Sequence, residues 1–242
     1  MIWSAAAATA LDRYGRVPVQ IILGKTIQIG TRRRTSNELR MGLLNYFQIT
    51  VVGIVLCVIL SKIIYSWRAT GVNPVVIGRG HGRWRIVELL AFLAMIFWVA
   101  EVMLRAFRPR LDQFPEIVDL SLLQTQAARI IGVALVMLGL VPFILAFVDF
   151  GTSWRIGIDR KTPGVLVTGG IFTVTRNPIF VAFILFFFGI FLINGTWFFL
   201  IFALLALVAL HFQIRREEEF LKQQYGPSYE DYCKHTARYV IW

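Results

Sequence analysis

The sequence predicts an all-α integral membrane protein with about five transmembrane helices. Hydrophobic residues make up 57% of the 242 residues, and the mean hydropathy is +0.66. Soluble proteins are only about 45–50% apolar. Charged residues make up 16% of the chain, against roughly 25% in soluble domains. The apolar residues are also gathered into runs long enough to cross a bilayer as helices.

Five apolar runs are candidate spans, at residues 43–66, 86–107, 130–150, 178–193 and 196–214. The fourth run is shorter than the ~20 residues that a spanning helix usually needs. A short span is tolerated where it is packed within protein or lies beside a cavity. Asn194-Gly195, which separates the last two runs, is a turn signal. We therefore expect these two runs to form a C-terminal helical hairpin.

The basic residues predict the orientation of the chain. Five spans place the loop at 67–85, the loop at 151–177 and the tail at 215–242 on one side of the membrane. These three segments hold most of the Lys and Arg residues that flank the spans, whereas the loop at 108–129 mixes arginines with acidic residues. The positive-inside rule then predicts a cytoplasmic tail and an external N-terminus. It also explains the net charge of +11 better than nucleic-acid binding does.

Residues 1–40 disagree with this orientation, because they are also rich in basic residues, including Arg32-Arg33-Arg34. They lack the long apolar stretch of a signal peptide. We expect them to be a poorly ordered N-terminal extension or an artefact of start-site choice. Residues 41–150 then hold three spans, and residues 151–242 hold the hairpin and the tail.

Ionisable residues inside membrane spans are candidates for function, but those in the first three spans have simpler explanations. Glu101 and Arg105 are four residues apart and are predicted to form an ion pair on one helix face. Lys62 and Glu88 lie near span ends, so we expect them to reach the interface. Asp149 is interpreted as a helix-end residue. The three histidines and two cysteines are scattered, and no metal site is predicted.

The end of the hairpin, HFQIRREEEFLKQQYG at 211–226, carries two polar stripes if it is one helix. One stripe consists of His211, Arg215, Glu218 and Lys222, and the other of Gln213, Arg216, Glu217 and Phe220. A solvated helix end with internal salt bridges explains both. However, the hairpin also brings this end close to GGIFTVTRNPIF at 169–180. There, Asn177 is predicted to cap a helix that starts at Pro178. Arg176, a free helix N-terminus and the glutamates could together bind a zwitterionic ligand.

From 151 to 242 the chain resembles the isoprenylcysteine carboxyl methyltransferases and the related phospholipid methyltransferases. The resemblance rests on the order and spacing of five elements. These are FGTSW at 150–154, GVLVTGGIFTVTRNPIF at 164–180, the hairpin turn, RREEEFLKQQYG at 215–226 and YEDYCKHTARYV at 229–240. It implies transfer of a methyl group from S-adenosylmethionine to a lipophilic acceptor, with the first three spans on the substrate side.

The resemblance also implies a cytoplasmic cofactor-binding loop and tail around the hairpin. The implied cofactor-binding residues are Gly170, Phe172, Arg176, Asn177, Pro178 and Glu218. The implied catalytic residues are Arg215, Glu218 and Glu219. Many relatives have Arg-His-Pro where this chain has Arg176-Asn177-Pro178, and a tyrosine in place of Phe180. An asparagine still forms hydrogen bonds, but it cannot titrate as a histidine does.

The acceptor is left open between a prenylated cysteine, another lipid and a thiol. The sequence shows no dedicated base, which favours a carboxylate or an easily ionised thiol. A sterol-type double-bond reductase that uses NADPH is an alternative, because such enzymes share a tail like Tyr225-Gly226, Tyr229 and Tyr232-Cys233. A non-enzymatic membrane protein that keeps the fold is a third reading.

Overall fold

The computed structural model describes residues 36–76, 83–107, 121–157 and 164–240. Most of the predicted N-terminal extension lies outside these ranges. The described residues form six α-helices and one 3₁₀ turn, Gly170–Thr173. The helices are α1 (Ser36–Thr70), α2 (Arg83–Phe107), α3 (Gln126–Asp149), α4 (Pro178–Asn194), α5 (Trp197–Tyr225) and α6 (Pro227–His235). Isolated β-bridges occur among these residues but no strand, so the all-α prediction is confirmed.

Four of the helices are long and apolar enough to cross a membrane. They are α1 from Gly42, α2 from Arg85, α3 and α5. The fourth predicted span, α4, is apolar throughout but has only 17 residues. The protein is therefore a multi-pass integral membrane protein, with one helix shorter than a typical span.

The short helix α4 is packed tightly against α3. A Cβ atom added to Gly132 would lie 2.6 Å from the Gly189 carbonyl oxygen, and one added to Gly189 would lie 2.8 Å from that of Gly132. Small residues at such contacts allow two membrane helices to approach closely. Beside them, the rings of Phe143 and Phe186 meet edge to face with centroids 5.8 Å apart. Because α4 is surrounded by protein, its short length is tolerated.

The predicted turn at Asn194-Gly195 joins α4 to α5 and confirms the hairpin. Gly195 has a left-handed backbone with φ of 67°, a conformation that glycine adopts without a steric penalty. Its carbonyl accepts hydrogen bonds from the backbone N–H groups of Leu122 (2.6 Å) and Leu123 (3.1 Å). The Asn194 side chain donates to the Gln48 side chain on α1 at 2.8 Å. The turn thus anchors the segment before α3 and also α1.

The loops after α1 and α3 lie together at the opposite end of the bundle. Val76 donates its backbone N–H to the Ile156 carbonyl at 3.0 Å, and Ile156 donates to the Pro74 carbonyl at 2.8 Å. The tail reaches the same end, since Thr175 forms a β-bridge with Ala237. This grouping is the one that the basic residues predict. Which end faces the cytoplasm stays a prediction.

The predictions for the charged residues of the first two spans are partly confirmed and partly wrong. Glu101 and Arg105 form the predicted ion pair. The expectation that Lys62 reaches the interface is wrong: its side chain is buried and donates a hydrogen bond to the Phe147 carbonyl on α3. The hydrogen bond to this carbonyl offsets part of the cost of burying the ammonium group. Glu88 also turns inward, as described below.

Candidate functional site

The loop that precedes α4 is anchored to the end of α3. Asp149 accepts a hydrogen bond from the backbone N–H of Ile171 at 2.7 Å, through its Oδ2 atom. Gly170 makes this contact possible, because its φ is 61° and a Cβ atom there would lie 2.0 Å from the same oxygen. The predicted cofactor residue Gly170 therefore shapes the loop through its backbone conformation. The helix-end residue Asp149 has a specific partner.

Two tyrosines hold the same loop from the other side. The Tyr232 hydroxyl on α6 donates to the Phe172 carbonyl at 2.6 Å, and the Tyr225 hydroxyl on α5 donates to the Gly164 carbonyl. Burial raises the pKa of Tyr232 above its ordinary value, so the phenol keeps the proton that it donates. The loop from 164 to 177 is thus fixed at both its beginning and its middle.

The end of the loop is held by the C-terminal strap, which we define as residues 236–239. Arg176 donates its backbone N–H to the Ala237 carbonyl at 2.9 Å. Its Nη1 atom donates to the carbonyls of Thr236 (2.9 Å) and Cys233 (3.0 Å). Tyr239 closes the strap onto α5, because its hydroxyl lies 2.8 Å from His211 Nδ1. The strap therefore makes the backbone contacts that orient Arg176.

Glu218 on α5 joins the loop and the strap through charge. Its Oε1 accepts from Arg176 Nε at 3.2 Å and lies 3.2 Å from Arg176 Nη2. Its Oε2 accepts from Arg238 Nε at 2.8 Å and lies 2.8 Å from Arg238 Nη2. Asn177 Nδ2 donates to Oε1 at 3.4 Å and to the Arg238 carbonyl at 3.1 Å. Both oxygens of this carboxylate are therefore occupied by protein donors.

Asn177 departs from the predicted cap. It occupies the N-cap position of α4 and Pro178 follows in the first turn, as expected, but the Asn177 side chain makes no capping hydrogen bond. It points instead to Glu218 and Arg238, as described above. The Asn177 side chain therefore bonds the buried Glu218 carboxylate instead of the free backbone groups at the start of α4, because hydrogen bonds to charged groups are stronger.

An inner cavity of about 750 Å³ lies beside this cluster. Its walls come from α2, from the segment after α3, from the loop at 164–177 with the start of α4, and from one face of α5. Most of the lining is apolar and aromatic, and its charged side chains include Arg176 on the loop, Arg216 and Glu217 on α5 and Glu88 on α2. Small-molecule sites commonly have this size and this mixed lining. Val87 and Phe92 on α2 line the cavity and are also exposed on the outside of the bundle.

A separate outer cavity of about 880 Å³ lies on the other side of α5. It is lined by charged residues of α5 and α6 together with Arg238, and Arg176, Phe212 and Arg216 contribute to both cavities. The exposed ion pair of Lys222 with Glu230 lies in its wall, with a Nζ to Oε1 distance of 2.9 Å.

The site residues that the resemblance implies are divided between the two cavities. Phe172, Arg176, Asn177 and Pro178 line the inner cavity. Arg215, Glu218 and Glu219 line the outer cavity, and Gly170 lines neither. Glu218 is brought into direct contact with Arg176 and Asn177, whereas Arg215 and Glu219 are exposed residues that share only the outer cavity with Arg176. The catalytic roles of Arg215, Glu218 and Glu219 stay predictions.

The second stripe of α5, made of Gln213, Arg216, Glu217 and Phe220, lines the inner cavity. The sequence predicted a site role for its glutamate but none for Gln213 or Arg216. Arg216 Nη2 lies 3.2 Å from Glu88 Oε1 on α2, so Glu88 is an inward-facing partner of α5. The signal for these residues was present in the helical spacing. The spacing alone does not show which stripe faces inward. Within the described ranges no cluster of side chains fit to hold a metal ion occurs.

The chain matches one family model, described as phospholipid methyltransferase, over residues 127–228. The match begins in the first turn of α3, takes in the loop, the hairpin and Glu218, and ends at the start of α6. No curated protein matches the chain at a significant level. The match is to a family of membrane methyltransferases, in agreement with the multi-pass architecture. The predicted resemblance is thus confirmed over residues 127–228, which match the phospholipid methyltransferase model.

Proposed function

We propose that the protein transfers a methyl group from S-adenosylmethionine to a lipophilic acceptor at the cytoplasmic face of the membrane, in the manner of the isoprenylcysteine carboxyl methyltransferases. The inner cavity carries this proposal. It joins a polar end, made by the loop at 164–177 and α5, to apolar walls on α2 and α5. An enzyme that brings a polar cofactor to a membrane-embedded acceptor needs both surfaces in one space.

The residues present fit the cofactor. The cavity volume of about 750 Å³ lies within the range of small-molecule sites. Phe172, Arg176, Asn177 and Pro178 would hold the cofactor, with an aromatic ring and hydrogen-bonding groups side by side. When bound, S-adenosylmethionine supplies an electrophilic methyl group on a sulfonium. Glu218 acts as a positioning residue, since it orients Arg176 and Asn177 from behind.

The acceptor enters from the lipid between α2 and α5. Val87 and Phe92 belong both to the cavity wall and to the outer surface of α2, and Phe212 does the same on α5. The hydrocarbon chain of the acceptor can therefore lie against these residues while its polar end points towards the loop. Holding the nucleophile and the methyl group in line and close together lowers the barrier of such a displacement.

The orientation with the site on the cytoplasmic side follows from the basic residues. The loops after α1 and α3 and the tail meet at one end of the bundle. These are the segments richest in Lys and Arg, which the positive-inside rule places in the cytoplasm. Labelling of Cys233 after conversion of Cys57 to serine, in intact and in opened cells, tests this side directly. Labelling in intact cells would contradict it.

Calorimetric titration of the purified protein in lipid nanodiscs tests the proposal. We expect S-adenosylmethionine and its demethylated product to bind, and NADPH not to bind. Val167→Trp places a large ring at the inner cavity wall and is expected to weaken binding at least tenfold. Val174→Trp is the matched control, because Val174 is exposed and does not line that cavity. Binding of NADPH alone would favour the reductase, and binding of neither ligand would favour a non-enzymatic protein.

A further inference from the structure

One side of α5 changes from apolar to charged along its length. Its apolar part consists of four exposed residues: Ile201, Leu205, Val208 and Phe212. Three further exposed residues continue the same spacing: Arg215, Glu219 and Lys222. Because these positions are three or four residues apart, they all lie on one side of the helix. We call this set the α5 stripe.

The apolar part of the α5 stripe is as long as one leaflet of a bilayer is thick. From Ile201 to Phe212 the helix rises about 16 Å, at about 1.5 Å per residue. The hydrocarbon region of one leaflet is about 15 Å thick, half of the ~30 Å core. Arg215, three residues beyond Phe212, therefore lies at the level of the lipid phosphate groups. A phospholipid along the stripe has its groups in the same order, with the acyl chain first and the phosphate after it.

The charged part of the α5 stripe forms a wall of the outer cavity. Phe212, Arg215, Glu219 and Lys222 all line this cavity. Another wall is made by α6 and Arg238. The volume of about 880 Å³ lies within the range of small-molecule sites. The stripe therefore leads from the lipid-facing surface of α5 into a space that is large enough for a headgroup.

The outer cavity has an excess of positive charge. Six basic and three acidic residues of the described chain line it. Glu218 is already neutralised, because its Oε1 lies 3.2 Å from Arg176 Nη2 and its Oε2 lies 2.8 Å from Arg238 Nη2. Glu230 is paired with Lys222 at 2.9 Å. These pairs occupy two of the three acidic residues and leave the excess charge on the other cations.

Arg215 and Lys234 are two cations that the cavity wall leaves poorly compensated. Arg215 is exposed and forms no ion pair with another described residue. Lys234 Nζ lies 3.7 Å from Asp231 Oδ1, and both side chains are more than two-thirds exposed, so water screens this pair. An anion in the outer cavity therefore meets positive charge from both α5 and α6.

Tyr229 adds a hydrogen-bond donor to the same wall. It is 3% exposed, and among the described residues its hydroxyl has no hydrogen-bond partner. The nearby Cys233 thiol is only a weak acceptor. Burial and the Glu218 carboxylate raise the pKa of Tyr229, so the hydroxyl keeps its proton. An unpaired buried donor is costly, and a phosphate oxygen is an acceptor that would pair it.

We propose that the outer cavity binds the phosphate group of an anionic phospholipid, whose acyl chain lies along the apolar part of the α5 stripe. Arg215 and Lys234 attract the phosphate, and the Tyr229 hydroxyl donates to it. The apolar part of the stripe favours a lipid of the bilayer over a soluble phosphate ester, which needs no such surface. The excess positive charge favours an anionic lipid over a zwitterionic one, because basic clusters at a membrane boundary attract anionic headgroups.

The bound lipid connects α5 to α6 and is distinct from the methyl acceptor. Its site lies on the other side of α5 from the inner cavity, so the inference does not depend on the proposed methyl transfer. Because α6 leads into the strap that orients Arg176, a lipid held between these helices stabilises the folded tail. A ligand that binds only the folded state raises its stability.

Native mass spectrometry of the full chain in a neutral detergent tests this inference. The probes are dioleoyl phosphatidylglycerol and dioleoyl phosphatidylcholine, which share their acyl chains and differ in headgroup charge. We expect Arg215→Gln to weaken phosphatidylglycerol binding about fivefold or more, the effect of one basic residue near anionic lipid, and to leave phosphatidylcholine binding unchanged. Lys234→Gln should act in the same direction. Arg68→Gln is the matched control, because Arg68 is an exposed arginine in the last turn of α1 that does not line the cavity.

Two further measurements identify the ligand and its effect. Phosphatidylglycerol should raise the thermal unfolding midpoint of wild type by more than that of Arg215→Gln. Glycerol 3-phosphate, which carries the phosphate without acyl chains, should not displace the lipid at equal concentration. Displacement would indicate a site for a soluble phosphate ester and overturn the lipid assignment. Equal affinity for the two lipids, an equal rise in both unfolding midpoints, or a loss in neither variant beyond that of Arg68→Gln would also overturn the inference.

Discussion

Replacement of Glu218 by alanine should be among the most destabilising changes at the site. The carboxylate is 12% exposed and sits between Arg176, which is 10% exposed, and Arg238, which is 35% exposed. Removing one member of a buried ion pair typically costs about 3–5 kcal/mol, because the partner charge stays buried without compensation. Arg176 keeps its bonds to the carbonyls of Thr236 and Cys233, so we expect a loss near 3 kcal/mol.

Arg238→Ala should cost much less, about 1 kcal/mol, since water screens its more exposed guanidinium and Arg176 remains to neutralise Glu218. The assay is equilibrium unfolding in mixed micelles with increasing dodecyl sulfate, followed by tryptophan fluorescence. Glu230→Ala is the control, because its pair with Lys222 is at least half exposed on both sides, and water screens such a pair so that it contributes little to stability. A Glu218→Ala loss no larger than that of Glu230→Ala would show that the cluster does not stabilise the loop.

Gly170→Ala should destabilise the loop by at least about 1–2 kcal/mol, the cost of a left-handed backbone at a residue with a Cβ, and should weaken cofactor binding in the same calorimetric titration. Gly169→Ala is its control, because no atom lies within 4 Å of the position of its Cβ; equal effects of the two changes would contradict the role of Asp149. Unfolding free energy should fall as pH rises above about 10. Burial raises the pKa of Tyr232 in the folded state, so its contribution is complete below the unfolded pKa and is lost above it. Tyr232→Phe should flatten this alkaline decline, and an unchanged slope would mean that other groups cause it.

The membrane architecture was readable from the sequence because each signal is local. Apolar run length predicts a helix wherever it packs, and Asn194-Gly195 predicts a turn because glycine adopts the left-handed backbone seen there. The order of the polar segments along the chain also predicted correctly that Arg176 lies beside Glu218. Each of these predictions needs only neighbours in the chain or the closure of one hairpin.

The side of α5 that faces the inner cavity was not readable in the same way. Both polar stripes have equally good helical spacing, and only the packing of α2 and the loop decides that Glu217 faces inward. The Asn177 side chain was misjudged for the same reason, since a capping preference is weaker than a buried carboxylate on another helix. Lys62 likewise found its partner, the Phe147 carbonyl, on a different helix. Tertiary competition between partners, rather than local propensity, determined these outcomes.

The strap at 236–239 determines how early during folding the site can form. The Thr175 hydroxyl bonds the Arg238 carbonyl across 63 residues of chain, an interval that contains α4, α5 and α6. During synthesis the loop at 164–177 is therefore made well before its partners in the strap. We expect the spans to insert first and the loop to gain its final geometry only after the strap has been made. A chain cut before Thr236 would then keep its helices in the membrane and lose the orientation of Arg176.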